Sequence, residues 1–180
     1  MDERWQRKVL NDKSDLTSFN CTDDDVLGLN KFIHDEAIDY QREGAGVTHL
    51  FYRDEKLVGY VTLAMCAIKK DKTDIEEGYD DEKVNYPALW LGRLAVDNQE
   101  RGKGIGSALL KYCIGFAGKK AIEELGCRCI VLVTKGKKRV AFYEKRGFKI
   151  LDLKLKGNKK MMYHKLDLEK ARQQFEAEQV

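Results

Sequence analysis

Apolar positions along the chain switch between two periods. Thr22-Asp23-Asp24-Asp25 offers side chains that cap a helix and suit its positive N-terminal end. Val26, Leu29, Phe32, Ile33, Ala37 and Tyr40 then recur at steps of three and four, which predicts a helix with one buried face, closed by Gly44 and Gly46. His34 falls off this stripe and reads as a surface residue. Thr48–Tyr52 alternates, Arg53–Lys56 turns, and Leu57–Ile68 returns as a long strand, the pattern of a hairpin. Ile105, Leu109, Leu110, Cys113, Phe116 and Ala117 form a second helical stripe running to about Leu125. Two continuous apolar runs, Ala88–Val96 and Cys127–Thr134, have the character of strands buried on both faces.

Less patterned segments fill the rest. Short strands or loops precede Phe19. Lys70–Tyr86 is acidic with weak periodicity and reads as a loop, its end marked by Pro87, the one proline of the chain. Lys138–Arg146 reads as a short helix stopped at Gly147. Phe148–Leu155 and Lys160–Leu166 flank a Lys156–Lys159 turn as a closing hairpin, and Asp167–Val180 is a polar helical tail. This order predicts one α+β domain on a mixed sheet over residues 1–166, with residues 167–180 as an appended helix.

Composition narrows the picture modestly. A chain of 180 residues, 43% hydrophobic and 35% charged, has the balance of a single soluble domain. A net charge of +3 does not announce a nucleic-acid binder, but its distribution is uneven. Thr73–Lys83 is acidic, whereas Lys135–Arg139 and Lys154–Lys160 are basic, so a polyanion has a face to meet. The five cysteines, Cys21, Cys66, Cys113, Cys127 and Cys129, form no CxxC pair and have no histidine clustered with them. Reduced thiols in the cytoplasm are therefore expected, with no bound metal. The start MDERWQRKVL lacks an apolar signal core, and no run approaches the ~18 apolar residues of a membrane span.

One segment carries chemistry. The buried run Leu91–Asp97 leads through Asn98-Gln99-Glu100 into Arg101-Gly102-Lys103-Gly104-Ile105-Gly106-Ser107, which opens the second helix. Glycines let backbone N–H groups approach a ligand, and a helix N-terminus presents unpaired donors and a positive dipole end. Arg101 and Lys103 add charge. The G-x-G-x-G spacing is neither a Walker loop, which ends in Gly-Lys-Ser/Thr, nor the G-x-G-x-x-G of a dinucleotide fold.

Arg101–Gly106 matches, without a gap, the signature Gln/Arg-x-x-Gly-x-Gly/Ala of the GNAT superfamily of N-acetyltransferases. Leu94-Ala95-Val96-Asp97 and Phe142-Tyr143-Glu144-Lys145-Arg146-Gly147-Phe148 fall where that family places its other motifs, so the chain resembles it over about Val47–Leu166. The resemblance implies a GNAT-like domain whose mixed, mostly antiparallel sheet has helices on both faces. It implies acetyl-CoA as co-substrate, its pantetheine arm and acetyl group on Leu94, Ala95 and Val96. The pyrophosphate would lie on the N–H groups of Arg101, Gly102, Lys103, Gly104, Ile105, Gly106 and Ser107. Gly136 departs from the pattern, standing where many members carry an asparagine.

Acetyl transfer to an amine needs a neutral amine, a donor for the oxyanion and a proton for the departing thiolate. Tyr143 is the candidate acid, the alternative being a buried aromatic beside Phe142 and Phe148. Asp97, Glu100, Glu144 and the acids of Asp74–Glu82 are candidate bases without a distinguishing partner. A base is dispensable for an α-amine, whose reference pKa of about 7.7–8.0 lies far below the ~10.4 of lysine. Phe19-Asn20-Cys21, Val58–Leu63 and Leu91–Asp97 are similar to the GNAT toxins of toxin–antitoxin modules. That resemblance implies charged tRNA as acceptor, with Lys69-Lys70, Lys135–Arg139 and Lys154–Lys160 as a basic rim, and a ribbon-helix-helix antitoxin as partner. The other readings are a free-standing acetyltransferase for a small-molecule or protein amine, and a non-catalytic acyl-CoA-binding module. A homodimer through an open strand edge or the tail is a further expectation.

Overall fold

The computed structural model describes residues 5–69, 73, 75, 85–151, 153 and 155–178. Seven strands hydrogen-bond in the order β1-β2-β3-β4-β5-β7-β6. The chain divides into two compact units, Met1–Ala64 with Leu91–Tyr112, and Met65–Trp90 with Cys113–Val180. The long strands β3 (Lys56–Lys69) and β4 (Asn85–Val96) run through both units, as does the helix α3 (Ile105–Glu123).

In the first unit β1 (Trp5–Val9) lies antiparallel to β2 (Val47–Arg53), Trp5 facing Arg53 and Val9 facing His49. The expected hairpin joins β2 to β3. Its two-residue turn, Asp54-Glu55, takes φ of 48° and 65°, the two left-handed residues that a tight hairpin matched to strand twist requires.

The first predicted helix is broken into three parts: α1 (Leu29–Lys31), a π-helical turn (Phe32–Glu36) and α2 (Ala37–Arg42). It begins at Leu29 rather than Val26 because the Asp25 carboxylate accepts from the amides of Leu29 and Asn30, both at 2.8 Å. Those are the donors a helix start leaves unpaired, and Val26 is left exposed. The apolar stripe nevertheless does what its spacing predicts. Phe32, Ile33 and Ala37 join Leu10, Phe19, Cys21, Leu50, Leu57, Tyr60 and Ala95 in one core, and the Tyr60 hydroxyl donates to the Leu29 carbonyl at 2.6 Å.

In the second unit β5 (Cys129–Lys135) pairs antiparallel with β7 (Lys159–Lys165), and β6 (Lys149–Ile150) adds to the far edge of β7. The Arg128 amide, just before β5, donates to the Pro87 carbonyl near the start of β4 at 2.8 Å. Start beside start means that β4 and β5 run parallel, as a crossover through α3 demands, so the sheet is mixed. Pro87 lies inside β4, which begins at Asn85, and its carbonyl serves the ladder although it has no N–H to give. The rest of the expected Lys70–Tyr86 loop lies largely outside the described residues.

The helix α4 (Lys137–Glu144) stands within a residue or two of its predicted place. The closing hairpin is shorter than its pattern, with only two residues of β6 in the ladder. The tail forms α5 (Leu168–Glu178), as expected. A Cβ at Gly118 of α3 would stand 3.2 Å from Ala171 Cβ, so a missing side chain is what lets the tail helix approach so closely. Among the described residues no helix is long and apolar enough to cross a membrane.

Candidate functional site

The C-terminal end of β4 delivers the chain to its glycine loop. Ala95 is buried, and Asp97, 2% exposed, ends the strand. One Asp97 carboxylate oxygen accepts from the Gln99 amide at 3.0 Å, capping a 3-10 turn at Asn98–Glu100, and the other accepts from the Asn20 amide at 3.0 Å. Glu100, 5% exposed, is ringed by three cations: Arg53 at 2.8 Å, Lys56 at 3.1 Å and Lys103 at 3.1 Å. Hydrogen bonds from Lys56 and Lys103, and their charges, hold its carboxyl below the usual range against a smaller opposing effect of burial. Both acids therefore have structural partners within the fold.

Beyond Glu100 the backbone turns twice through the left-handed region, at Gly102 (φ 78°) and Gly104 (φ 83°), and at neither would a Cβ meet any atom within 4 Å. Sterics of the loop thus do not require glycine there, but the backbone conformation does. Ile105 is buried and starts α3, whose first turn contains no acid. The Ser107 and Ala108 amides donate to the Gly104 carbonyl at 3.0 and 3.1 Å. An open loop of turned backbone at the positive end of a 19-residue helix suits an anion.

The charged side chains of this loop do not stand where the sequence suggests. Lys103 is drawn to Glu100, and the Arg101 guanidinium turns back on the carbonyls of Asp23 (2.6 Å), Cys21 (3.2 Å) and Val96 (3.4 Å). Sequence reasoning misses this turn, because its partners lie 78 and 80 residues away for Asp23 and Cys21. It also misses Gly59 of β3, where a Cβ would stand 2.7 Å from the Ala95 carbonyl oxygen; a glycine inside a strand is the available signal for such a close approach. Arg93 stacks its guanidinium 4.6 Å over the Phe32 ring, and its Nε has no partner among the described residues.

Tyr143 belongs to the second unit, on the last turn of α4. Its ring meets Phe142 edge-on at 5.1 Å and Phe148 at 5.5 Å. Burial pushes its phenol above the ordinary tyrosine value and Cys113 adds to that, while Arg139 and Arg146 pull the other way. Arg139 sits four residues before Tyr143, one turn away on the same face of α4, and Arg146 follows in the turn just beyond the helix. Arg139 donates to the Lys135 carbonyl at 3.2 Å, and Arg146 to that of Phe142 at 2.7 Å with its guanidinium 3.7 Å from the Phe142 ring. Tyr143, half-buried between Phe142 and Phe148, is thus both the aromatic of this contact and the candidate acid. Gly136, ahead of α4, has φ 92° and ψ 141°, a conformation that favours glycine over an asparagine at this position.

Glu144 is exposed, and the acids of Asp74–Glu82 lie outside the described residues. Among the described residues no group of three or more histidines, cysteines or acids is placed to hold a metal ion.

The chain is 28% identical over 143 residues to a tRNA-acetylating toxin of Mycobacterium tuberculosis (strain ATCC 25618 / H37Rv), covering 78% of this chain and 82% of the relative. Among solved structures it resembles AtaT complexed with acetyl-methionyl-tRNAfMet, with a TM-score of 0.75 and 20% identity over 96% of this chain and 99% of the other. It also resembles AtaTR bound with AcCoA, with a TM-score of 0.73 and 21% identity over 97% and 99% of the two chains. At such identities the likeness is one of fold. The profile of the acetyltransferase (GNAT) family, however, matches residues 16–148, most of the chain and the whole of the segment from the Phe19 core through the glycine loop to Phe148. With the glycine turn opening α3 and a parallel strand beside the one that leads into it, that match places this chain in the acetyltransferase (GNAT) family.

Proposed function

We propose that this chain transfers the acetyl group of acetyl-CoA to a primary amine, and that its acceptor is the α-amine of an aminoacyl-tRNA. The observation that carries the reading is the open loop at the start of α3, with Gly102 and Gly104 both turned into the left-handed region. In this reading the backbone of Arg101–Ser107 receives the pyrophosphate and that of Leu94–Val96 aligns the pantetheine arm. The Ser107 amide is the weakest member of that set, since it already donates to Gly104. The cofactor supplies an acetyl thioester, and strand amides near Val96 serve the carbonyl oxygen as negative charge builds on it. Tyr143 gives its proton to the departing sulfur.

Two observations favour an α-amine. Asp97 and Glu100 are engaged by backbone amides and by three cations, which removes the acids nearest the loop as bases. With those two acids engaged, a substrate that arrives neutral is favoured. Near pH 7.4 about a quarter of an α-amine is neutral, against about one part in a thousand of a lysine side chain. The relative named for tRNA acetylation points the same way. The toxin reading carries with it an antitoxin partner of ribbon-helix-helix type.

The test is to incubate the protein and acetyl-CoA with charged tRNA, peptides and polyamines and to identify products by mass spectrometry. Acetylated aminoacyl-tRNA is expected. Acetylated peptide or polyamine alone would replace this acceptor with a protein or small-molecule amine. Tyr143→Phe should keep coenzyme A binding and lower kcat by about 10²–10⁴. Coenzyme A binding without any turnover in the parent protein would identify a binding module instead.

A further inference from the structure

We infer that the Arg101 side chain is a latch that pins the Asn20–Asp25 turn to the end of β4, rather than a ligand of the cofactor's phosphates. The inference rests on the cofactor reading only for the identity of the loop's ligand; the latch itself is a matter of geometry. Arginine has five N–H donors in a planar fork, and here three atoms of the fork are turned to backbone carbonyls. Those at Asp23 and Cys21 belong to the turn, and the longer one at Val96 belongs to the strand.

The same two segments are tied at four more points. Asp97 accepts from the Asn20 amide at 3.0 Å, and the Asn98 amide donates to the Asn20 carbonyl at 2.7 Å. The Asn98 side chain accepts from the Asp23 amide at 3.3 Å and donates to Asn20 Oδ1 at 3.3 Å. A surface turn whose carbonyls and amides are met this fully behaves as part of the strand it lies on. Asp25, at its far end, caps α1 with both carboxylate oxygens, so the latch extends without interruption from the glycine loop to the first helix. Cys21, inside the turn, is 1% exposed, and burial pushes its thiol up to about 12. It serves as a built-in reporter, unreactive while the turn is held and labelled once it is released.

The experiment uses the intact protein and the variants Arg101→Gln and Asn98→Ala, the second of which leaves Arg101 in place. Two quantities are read. One is the rate of N-ethylmaleimide labelling at Cys21 without ligand, located by mass spectrometry. The other is the ratio of dissociation constants for coenzyme A and for pantetheine, which lacks every phosphate. A latch predicts labelling of Cys21 about tenfold faster or more in both variants, with the coenzyme A to pantetheine ratio of each within about threefold of the parent. A phosphate ligand predicts the reverse for Arg101→Gln. Cys21 would keep its parental rate, and coenzyme A would weaken about tenfold or more relative to pantetheine, as expected for a lost hydrogen bond to a charged group. That result overturns the inference, as does an unchanged Cys21 rate in both variants. Equal affinity of the parent protein for the two ligands would instead sink the cofactor reading, and the Cys21 rates would still decide the latch.

Discussion

Gly59→Ala tests whether the contact between β3 and the end of β4 is as close as it looks. A methyl at this position would stand 2.7 Å from the Ala95 carbonyl oxygen and 2.8 Å from Leu109 Cδ1. Ordinary contact begins at 3.4 Å, so the carbonyl would have to retreat by about 0.7 Å. Leu109 can swing its terminal methyl aside, but Ala95 is buried backbone in the strand ladder and has nowhere to go. Overpacking of this kind costs about 1–3 kcal/mol. For a domain of this size each kcal/mol lowers Tm by about 2–4 °C, so a fall of about 2–12 °C is expected. Coenzyme A affinity should weaken as well, because the displaced carbonyl lies in the strand segment proposed to hold the cofactor. Gly115→Ala in α3 is the matched control. Nothing lies within 4 Å of a Cβ there, and alanine in a helix is favoured over glycine by about 1 kcal/mol, so this variant should be more stable than the parent. Thermal melts of the three proteins decide the matter. If Gly59→Ala melts at or above the parental Tm, β3 and β4 are not locked at this point and the reasoning fails.

Two further expectations follow from polar groups in the interior. Glu100 has a folded-state pKa below its unfolded value, so its contribution to stability is fully present above about pH 4.3 and is lost as pH falls through the lowered value. Glu100→Gln should therefore cost about 1–3 kcal/mol at neutral pH by leaving Arg53, Lys56 and Lys103 without their carboxylate, and urea melts should converge with the parent below about pH 4. A constant gap from pH 7 to pH 3 would contradict the charge argument. Thr134, 1% exposed at the end of β5, has a buried hydroxyl without a partner among the described residues. Thr134→Val keeps the shape, removes the unsatisfied group and should raise stability by about 1 kcal/mol, whereas a lower urea midpoint would mean that the hydroxyl is served.

Much of the fold was legible because it rests on local periodicity. The stripe Phe32-Ile33-Ala37 is buried as its spacing predicts, and Ile105, Leu109, Leu110, Cys113 and Ala117 form the hidden face of α3. What periodicity could not show is where a competing polar group interrupts a helix. Val26 continues the stripe perfectly well, yet the Asp25 carboxylate claims the next available amides and moves the start to Leu29. The glycine loop was legible because backbone conformation leaves a mark on sequence: Gly102 and Gly104 both require positive φ. Gly136 is the converse case. Sequence shows it only as a departure from a family pattern, whereas its φ of 92° and ψ of 141° show a backbone turn that favours glycine. The functions of Arg101, Asp97 and Glu100 were not readable, because each is decided by partners distant in sequence: Cys21 and Asp23, Asn20, and Arg53 and Lys56. A basic residue in a phosphate-type loop invites a phosphate assignment, and only its partners show that the charge is already spoken for.

The proposed role of Tyr143 has a cost that can be worked from its surroundings in the second unit. A proton donor has two tasks that pull in opposite directions, since it must hold its proton until the thioester breaks and then release it. Burial secures the first, holding the phenol above its ordinary value so that it stays protonated throughout the neutral range. The second is harder. A free thiol has a reference pKa of about 8.5 and a phenol about 10, so transfer to a fully formed thiolate is uphill by about 2 kcal/mol before burial adds its share. Two features act against that cost. Sulfur in the act of leaving carbon is not yet a stable thiolate and is best helped by a donor already in place. Arg139, one turn earlier on α4, and Arg146, just beyond the helix, favour the phenolate that would remain once the proton has gone. In the proposed reaction the two guanidinium charges therefore oppose burial without cancelling it, and the phenol stays above its ordinary value.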